Sequence, residues 1–231
     1  MNRMMDALRE LLTGRGAAWV GCGDLTVLPE DVREGLPRGV CIAVALDPEP
    51  LRGITDGPTL EYYAEYHRAN DLLDVLAEGA AHFLREQGAR AVPRAATNVG
   101  IDFATHSTRL PHKTVATRGG LGWVGKCALL VTEQLGSALR LTAVLTDADL
   151  PTGDPVTESR CGDCVACVEV CPGGAPSGRE WEAGMPREAF FDAHACRRGA
   201  RARAARAGIE ETICGMCIAA CPWTQAYLRA R

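Results

Sequence analysis

Cysteine is the residue type whose spacing in this chain points most directly to chemistry. Eleven of the 231 residues are cysteine, and eight of these lie after residue 160. The segment CGDCVACVEVCP has the spacing C-x2-C-x2-C-x3-C-P and supplies Cys161, Cys164, Cys167 and Cys171. Three cysteines on one tight loop can bind one face of a cubane iron–sulfur cluster, while the fourth points toward a neighbouring cluster.

A second set of cysteines repeats part of this spacing. The segment CGMCIAACP ends in Pro222, and its fourth cysteine comes from further back in the chain. We therefore predict two [4Fe–4S] clusters with crossed ligands. The first cluster would be bound by Cys161, Cys164, Cys167 and Cys221, and the second by Cys196, Cys214, Cys217 and Cys171.

Zinc and disulfides are the alternatives for the same cysteines. Zinc sites favour C-x2-C pairs, but they need neither a third cysteine two residues further on nor a C-P ending. Residues 1–10 contain Asp6 and Glu10 and have no apolar stretch, so they do not read as a secretory signal. A reducing compartment is then expected, which favours metal ligation over disulfides. The other three cysteines, Cys22, Cys41 and Cys127, lie in or beside apolar runs and are predicted to be small core residues. A position facing a bound cofactor is the alternative for Cys127, which directly follows Gly125-Lys126.

Composition excludes several classes of protein. Apolar residues make up 47% of the chain, and 25 basic and 29 acidic side chains give a net charge of −4. Intrinsic disorder is therefore excluded, and the chain is long enough to bury a core. No run of about 18 apolar residues is present, which argues against a membrane span. We predict a cytoplasmic protein that makes no membrane contact.

One short segment is basic although the whole chain is not. Residues 196–206 read CRRGARARAAR and contain no acidic residue. The arginines are Arg197, Arg198, Arg201, Arg203 and Arg206. They form either a solvated helical face or a patch for RNA or an acidic partner, because the guanidinium group binds phosphate well.

The elements that must position these residues are helices and strands in the first two thirds of the chain. Apolar periodicity predicts helices over 4–12, 59–87 and 111–118. Strands are predicted over 17–20, 40–46 and 89–92, with 127–132 and 138–145 forming a pair joined by a turn at 134–137. The continuously apolar run at 40–46 is typical of a strand covered on both faces. We expect an α+β body with helices against a mixed sheet.

A polar, turn-rich segment separates this body from the cysteine-rich tail. Residues 151–159 read PTGDPVTES. We therefore predict two domains, a cofactor- and substrate-binding body at 1–155 and a ferredoxin-like double-cluster domain at 156–231.

The order of motifs resembles that of the epoxyqueuosine reductase family. The resemblance rests on the string GLGWVGK at 120–126, the strand end Leu145-Thr146-Asp147, the linker, all eight tail cysteines, and Pro222-Trp223. It covers most of the chain, although the N-terminal part matches in order more than in sequence.

The resemblance implies a fold, cofactors and an activity. The implied body is related to flavin nitroreductases and to other corrinoid-handling reductases. The implied cofactors are cobalamin and two [4Fe–4S] clusters, through which electrons from a donor such as ferredoxin or flavodoxin reach the corrinoid. The implied reaction reduces epoxyqueuosine in tRNA to queuosine. The protein would supply position and electrons, while the cofactor carries the chemistry.

The resemblance also implies site residues in the body. Gly120, Gly122, Trp123, Gly125 and Lys126 are expected to contact the cofactor, since glycine lets the backbone approach a flat ring closely. An ordinary turn is the alternative for the glycines, and a solvated side chain is the alternative for Lys126.

Two departures from the family pattern bear on the substrate. His106 stands where the family places an acidic proton donor, and imidazole can also donate a proton near neutral pH. The chain ends at Arg231, whereas family members continue into a helical-repeat region that helps hold tRNA. Three alternatives therefore remain open: a corrinoid-dependent reductase of a small molecule, a flavin in place of the corrinoid, and a ferredoxin-like electron-transfer protein.

Overall fold

The computed structural model describes residues 2–97 and 100–231. The body contains the helices α1 (Arg3–Thr13), α2 (Pro48–Arg52), α3 (Leu60–Glu86) and α4 (His112–Arg118). Its strands are β1 (Trp19–Asp24), β2 (Arg38–Ala45), β3 (Ala91–Arg94), β4 (Trp123–Val124), β5 (Leu130–Val131) and β6 (Leu139–Thr146). The tail adds α5 (Ala166–Glu169), a 3₁₀ turn at Arg187–Ala189, α6 (Ala193–Arg206), α7 (Met216–Ala220) and α8 (Pro222–Arg229).

A four-stranded sheet with the order β1-β2-β6-β3 forms the middle layer of the body, and every pairing in it is antiparallel. Along β2, Val40 and Ile42 face the core beneath α1 and α3, while Cys41 faces the core beneath α4. Side chains alternate between the faces of a strand, so a strand covered by helices on both sides must be apolar throughout. The predicted α+β class and the doubly covered strand are confirmed.

Capping side chains set the starts of the principal helices. The Asn2 side chain accepts a hydrogen bond from the Met5 amide at the start of α1, and Thr59 does the same for Tyr62 at the start of α3. In the tail, Asp192 caps α6 by accepting from Ala195. Such side chains satisfy amides that have no partner within the helix.

The predicted mixed sheet was wrong for a topological reason. Strands β2 and β3 run parallel to each other across the long helix α3, as a β-α-β unit requires. However, β6 lies between them and pairs antiparallel with both. No parallel neighbours therefore remain in this sheet.

The predicted pairing of 127–132 with 138–145 was also wrong. Residues Leu130–Val131 pair with Trp123–Val124 in a separate two-stranded sheet, whereas β6 joins the main sheet. The turn between them was located correctly, since Thr132 and Gly136 form an antiparallel bridge. Strand β6 is long and almost wholly buried, so the centre of the main sheet covers it better than a short hairpin would.

Body and tail share one hydrophobic core. The cluster that contains Leu73 of α3 and Ile42 of β2 also contains Ile213, Ile218 and Leu228 from the tail. The predicted division near residue 155 stays a prediction, and the contacts across it hold the cysteines against the body. Among the described residues, no helix combines the length and apolarity that a membrane crossing needs.

Candidate metal centre and cofactor cavity

The eight tail cysteines lie on short loops and at helix ends, where their side chains can converge. Cys161 and Cys164 precede α5, Cys196 lies in the first turn of α6, and Cys221 separates α7 from α8. All eight are half-buried, and all eleven cysteines of the chain carry free thiols. Half-buried thiols on loops are accessible to a cluster and shielded from bulk solvent once it is bound.

Six cysteines line one small cavity. Its volume is about 100 Å³, and its walls include Cys161, Cys164, Cys167 and Cys221. Burial raises the pKa of Cys221, and the neighbouring Cys161 thiol raises it further. These four are the residues predicted to bind the first cluster. The other two are Cys127 of the body and Cys217, which was predicted to bind the second cluster.

A second group of neighbouring cysteines consists of Cys171, Cys196 and Cys214. Burial raises the pKa of Cys196 to about 11, and the neighbouring thiols of Cys171 and Cys214 contribute. The Ala175 amide donates a hydrogen bond to Cys171 Sγ at 3.3 Å. A hydrogen bond from a backbone amide to a ligand sulfur is one of the features that set the reduction potential of a cluster. The structure thus brings Cys171 next to cysteines of the later set, as crossed ligation requires.

Lys126 attaches the first cysteine loop to the body. Its Nζ donates hydrogen bonds to the carbonyl oxygens of Gly162 at 2.6 Å and Cys164 at 3.1 Å. The side chain is 5% exposed. The structure shows contacts of Lys126 with the cluster loop, and its predicted contact with a cofactor stays a prediction.

The glycines of the 120–126 string make close contacts mainly within the protein. A Cβ on Gly122 would lie 2.1 Å from the carbonyl oxygen of Val131, and one on Gly120 would lie 2.8 Å from that of Asp154. A Cβ on Gly125 would lie 3.6 Å from Cys161 Sγ. Gly125 therefore borders the first cysteine group, whereas Gly120 and Gly122 allow close approach of backbone to backbone.

Trp123 is buried beside the same cysteine group. Its ring packs edge to face against Trp223, with the centroids 5.4 Å apart, and Trp223 lines the cavity of the first group. Within the described part of the chain, the Trp123 indole nitrogen has no hydrogen-bond partner. A buried donor without a partner is uncommon and fits a site whose acceptor is a bound group such as a cluster sulfur.

His106 lies on a tight turn where the body meets the tail. Its φ is 51°, which a residue other than glycine rarely adopts, and its ring lies 4.7 Å from that of His194. Arg187 donates a hydrogen bond to the His106 carbonyl oxygen at 2.7 Å. Burial lowers the pKa of His106, followed by the positive charges of His194 and Arg197. Backbone strain of this kind is concentrated at functional sites.

A cavity between the sheet and α7 is large enough to admit part of a cofactor. Its volume is about 260 Å³, and its walls include Thr108, His112, Arg140 and Ile218. Ile218 follows the cysteine Cys217 directly, so the cavity adjoins the metal centre. We call it the His112 cavity. His112 Nε2 lies 3.1 Å from the Ala95 carbonyl oxygen, and burial lowers the pKa of His112 to about 4.

Two observations favour the His112 cavity as the place for part of a flat, polar cofactor. Thr108 Oγ1 is buried without a hydrogen-bond partner in the part of the chain that the structure describes. The same residue lines a second cavity of about 560 Å³ that is formed with Arg94 and Asp102. The two cavities meet at Thr108, so a ligand wider than either one could extend across it. Sequence reasoning missed Thr108, because a lone threonine in a loop carries no spacing signal.

Known protein families and sequences match the tail of this chain most clearly. A family model described as a 4Fe–4S double cluster binding domain matches residues 160–224. The prediction of two [4Fe–4S] clusters is confirmed, and the alternatives of zinc and disulfides are set aside. Epoxyqueuosine reductase from Escherichia coli (strain K12) is 42% identical over 69 residues, which are 30% of this chain and 18% of that enzyme.

Two solved structures match the whole fold. A reductive dehalogenase, whose structure is described as suggesting a mechanism for B12-dependent dehalogenation, has a TM-score of 0.71 at 18% identity over 97% of this chain and 33% of its own. Epoxyqueuosine reductase with an epoxyqueuosine-modified tRNA-Tyr stem loop has a TM-score of 0.62 at 18% identity, over 96% of this chain and 65% of its own. The chain thus spans less than two thirds of each of these proteins.

Fold and tail together define a double-cluster iron–sulfur protein whose body has the fold of these reductases. The resemblance to the epoxyqueuosine reductase family that the sequence predicted is confirmed.

Proposed function

We propose that this protein is a cytoplasmic iron–sulfur reductase that uses a corrinoid to reduce epoxyqueuosine in tRNA to queuosine. The reaction consumes two electrons and two protons per epoxide and releases the oxygen as water. Each [4Fe–4S] cluster transfers one electron at a time, so the pair can deliver both electrons in sequence.

The observation that carries this proposal is the contact between the His112 cavity and the cysteine groups. Ile218 lines the cavity and follows Cys217 directly, while Cys217 lines the neighbouring cysteine cavity. An electron leaving the metal centre would therefore need to cross little protein. A ferredoxin has no need of a body with such a cavity, which argues against a simple electron carrier.

The residues that would hold the corrinoid surround the His112 cavity. Thr108 Oγ1 offers an unpartnered polar atom, Ser137 and Arg140 line the wall, and His112 is neutral at pH 7 because its pKa is about 4. A corrinoid, when bound, supplies a strongly reducing metal ion for opening the epoxide. The part of the protein is to position this cofactor, exclude water and deliver electrons. A flavin in the same place is the alternative.

The proton donor in this proposal is His106. Its turn is held to the tail by Arg187, and Thr108, two residues further on, lines the His112 cavity. His106 is thus two residues from the cavity wall, and a proton donor must come within hydrogen-bond reach of the reacting group. The lowered pKa of His106 makes its imidazolium form a stronger acid, which favours transfer of the proton.

The tRNA in this proposal binds at α6. Arg198 and Arg201 are exposed and lie on one face of that helix, three residues apart. Arg203 and Arg206 form ion pairs with Asp56 of the body and are less available for phosphate. Arg197 lies in the turn that contains Cys196. An RNA bound along this face would lie close to the His106–His194 contact.

An external donor must reduce the clusters, and a groove between α2 and α7–α8 is suited to it. The groove is lined by Leu51, Met216 and Leu228, with Arg52 and Arg229 at its rim. Its floor also includes Val170, Met216 and Ala220, each of which directly precedes a cysteine of the metal centre. An acidic carrier such as a ferredoxin or flavodoxin matches this charge.

Turnover of a defined substrate tests the proposal. The protein is reconstituted anaerobically with iron, sulfide and cobalamin, and it is given a strong chemical reductant and an epoxyqueuosine-containing tRNA stem loop. Formation of queuosine by mass spectrometry, dependent on added cobalamin, is expected. Cobalamin binding without queuosine formation would transfer the assignment to a corrinoid-dependent reductase of another substrate. Full cluster content without binding of cobalamin or flavin would leave an electron-transfer protein.

A further inference from the structure

Lys113 separates two cavities and has no carboxylate partner among the described residues. On one side lies the His112 cavity, and on the other lies a larger cavity of about 470 Å³. The Lys113 Nζ donates a hydrogen bond of 2.6 Å to the Ala128 carbonyl oxygen. A half-buried lysine without an acidic partner is costly to the fold, and charged groups in such positions are common at functional sites.

The larger cavity contains three cations, and we call it the cation cavity. Lys113, Arg118 and Arg187 line it, and no aspartate or glutamate does. Arg118 donates to the Asp24 carbonyl oxygen and Arg187 to that of His106, so main-chain oxygens hold both arginines in place. Two carboxylates outside the cavity wall partly compensate these charges: exposed Glu188 pairs with Arg187, and Asp24 lies near Arg118.

Apolar and aromatic side chains form the remaining walls of the cation cavity. Val124 and Phe190 are buried, and Trp181 and Met185 complete the wall on the side of the tail. The volume lies within the range of cavities that bind small molecules. Apolar walls with converging cations suit a ligand that has an apolar body and an anionic group.

The backbone around Lys113 is held in a strained conformation. Ala128, which accepts the Lys113 hydrogen bond, has a φ of 59°. Left-handed conformations are uncommon for alanine and persist where the surrounding structure enforces them. The amide of Ala128 is fixed by a 2.8 Å hydrogen bond to the Gly125 carbonyl oxygen, which links this point to the 120–126 string.

We propose that the cation cavity is a binding site for the anionic group, a carboxylate or a phosphate, of a small molecule, and that Lys113 is its principal contact. The inference rests on the proposed function only for the identity of the ligand, which is the nucleotide phosphate of the corrinoid under that function and a small-molecule substrate if the reductase acts on a substrate other than tRNA. The site itself is defined by residues of this chain.

The charge state of Lys113 reports directly whether an anion is bound in the cation cavity. Burial lowers the pKa of Lys113 to about 8, and the nearby Arg187 charge lowers it further, while Cys127 opposes the shift. A bound anion stabilises the ammonium form and must raise this pKa. Lys113 and Lys126 are the only lysines of the chain. Reductive ¹³C-methylation therefore gives two lysine signals in an NMR spectrum, and Lys113→Met assigns them.

The experiment titrates Lys113 by NMR in the reconstituted protein, with benzoate or inorganic phosphate as the probe. We expect millimolar benzoate to raise the pKa of Lys113 by about one unit or more, as an opposite charge in contact does. Benzyl alcohol, which has the same ring without the charge, should leave it unchanged. Arg118→Gln should weaken benzoate binding several-fold, whereas Arg3→Gln, on the exposed face of α1, should not.

Two further arms identify the source of the anion. Prior loading with cobalamin, compared with cobinamide, which lacks the nucleotide, shows whether the cofactor phosphate occupies the cavity. If cobalamin but not cobinamide prevents benzoate from raising the pKa of Lys113, the natural anion is the nucleotide phosphate of the corrinoid. If neither compound prevents this rise, the anion belongs to the substrate. A Lys113 signal that neither benzoate nor phosphate moves, in protein with full iron content, overturns the proposal. The test uses no turnover, so absence of queuosine formation would leave its outcome unaffected.

Discussion

Lys126 Nζ lies 2.6 Å from the carbonyl oxygen of Gly162, and this hydrogen bond joins the glycine string of the body to the first cysteine loop of the tail. The same ammonium also binds Cys164. Hydrogen bonds made by a charged donor contribute about 1.5–3 kcal/mol. Lys126→Met is therefore expected to destabilise the cluster-loaded protein by about 2–3 kcal/mol. Thermal unfolding and the rate of iron loss to a chelator measure the effect.

Lys126→Arg is the matched variant, since it keeps the charge and should recover part of the stability. If Lys126→Met unfolds and loses iron at the rate of the unsubstituted protein, Lys126 is not the connection between body and cluster loop.

Paired cysteine substitutions distinguish crossed from sequential ligation. In the crossed scheme, Cys161→Ser with Cys221→Ser removes ligands of one cluster, so about four of eight iron atoms should remain. Cys161→Ser with Cys171→Ser removes a ligand from each cluster, and little iron should remain. Sequential ligation predicts the reverse order of iron contents. Cys22→Ser, which alters a buried cysteine of β1 outside both ligand sets, is the control and should retain full iron.

Gly122 tests the role of the glycine string in backbone packing. Its missing Cβ would lie 2.1 Å from the Val131 carbonyl oxygen, and neither backbone can move without disturbing the β4–β5 pair. Gly122→Ala should destabilise the fold by about 1–3 kcal/mol, as overpacking does. Gly53→Ala, where the nearest atom would be 3.4 Å away, should stay within about 0.5 kcal/mol. Equal melting temperatures for the two variants would exclude this account of Gly122.

The pH dependence of turnover tests His106. Because the pKa of His106 is lowered, mainly by burial, its protonated form becomes common only below the usual histidine value of about 6.5. If His106 donates the proton, turnover at saturating substrate should rise as the pH falls from 7.5 through that value. His106→Gln should remove this rise and slow turnover by about 10²-fold or more, while leaving cluster content unchanged. An identical pH profile in the variant would assign the acid elsewhere.

Much of this architecture could be predicted from the sequence, because local patterns determine it. The periodicity of α3 and the apolar run of β2 predicted both elements within one or two residues. The cysteine spacing predicted that Cys161, Cys164, Cys167 and Cys221 come together, and these four line one cavity, which Cys217 of the other predicted set also lines. The insertion of β6 between β2 and β3 could not be predicted, because strand order depends on long-range pairing.

The contacts around the cavities were beyond prediction for the same reason. Arg187 reaches the His106 carbonyl oxygen across 81 positions of the chain, and no spacing pattern marks it. The position of Lys113 between two cavities depends on how α4 packs against the tail, which no local pattern shows. Single polar residues acquire a role only when the fold brings other groups to them.

Whether this protein binds a corrinoid beside its clusters can be tested by titrating the cluster-loaded protein with cobalamin. Protein reconstituted anaerobically to full iron content is titrated with cob(II)alamin, and the cobalt signal is recorded by EPR. We expect one cobalamin to bind per chain. Its EPR signal should change from base-on to base-off when cobalamin enters the cavities beside Thr108 and His112. A cobalt signal that stays base-on and free in solution, at every ratio of cobalamin to protein, would contradict it.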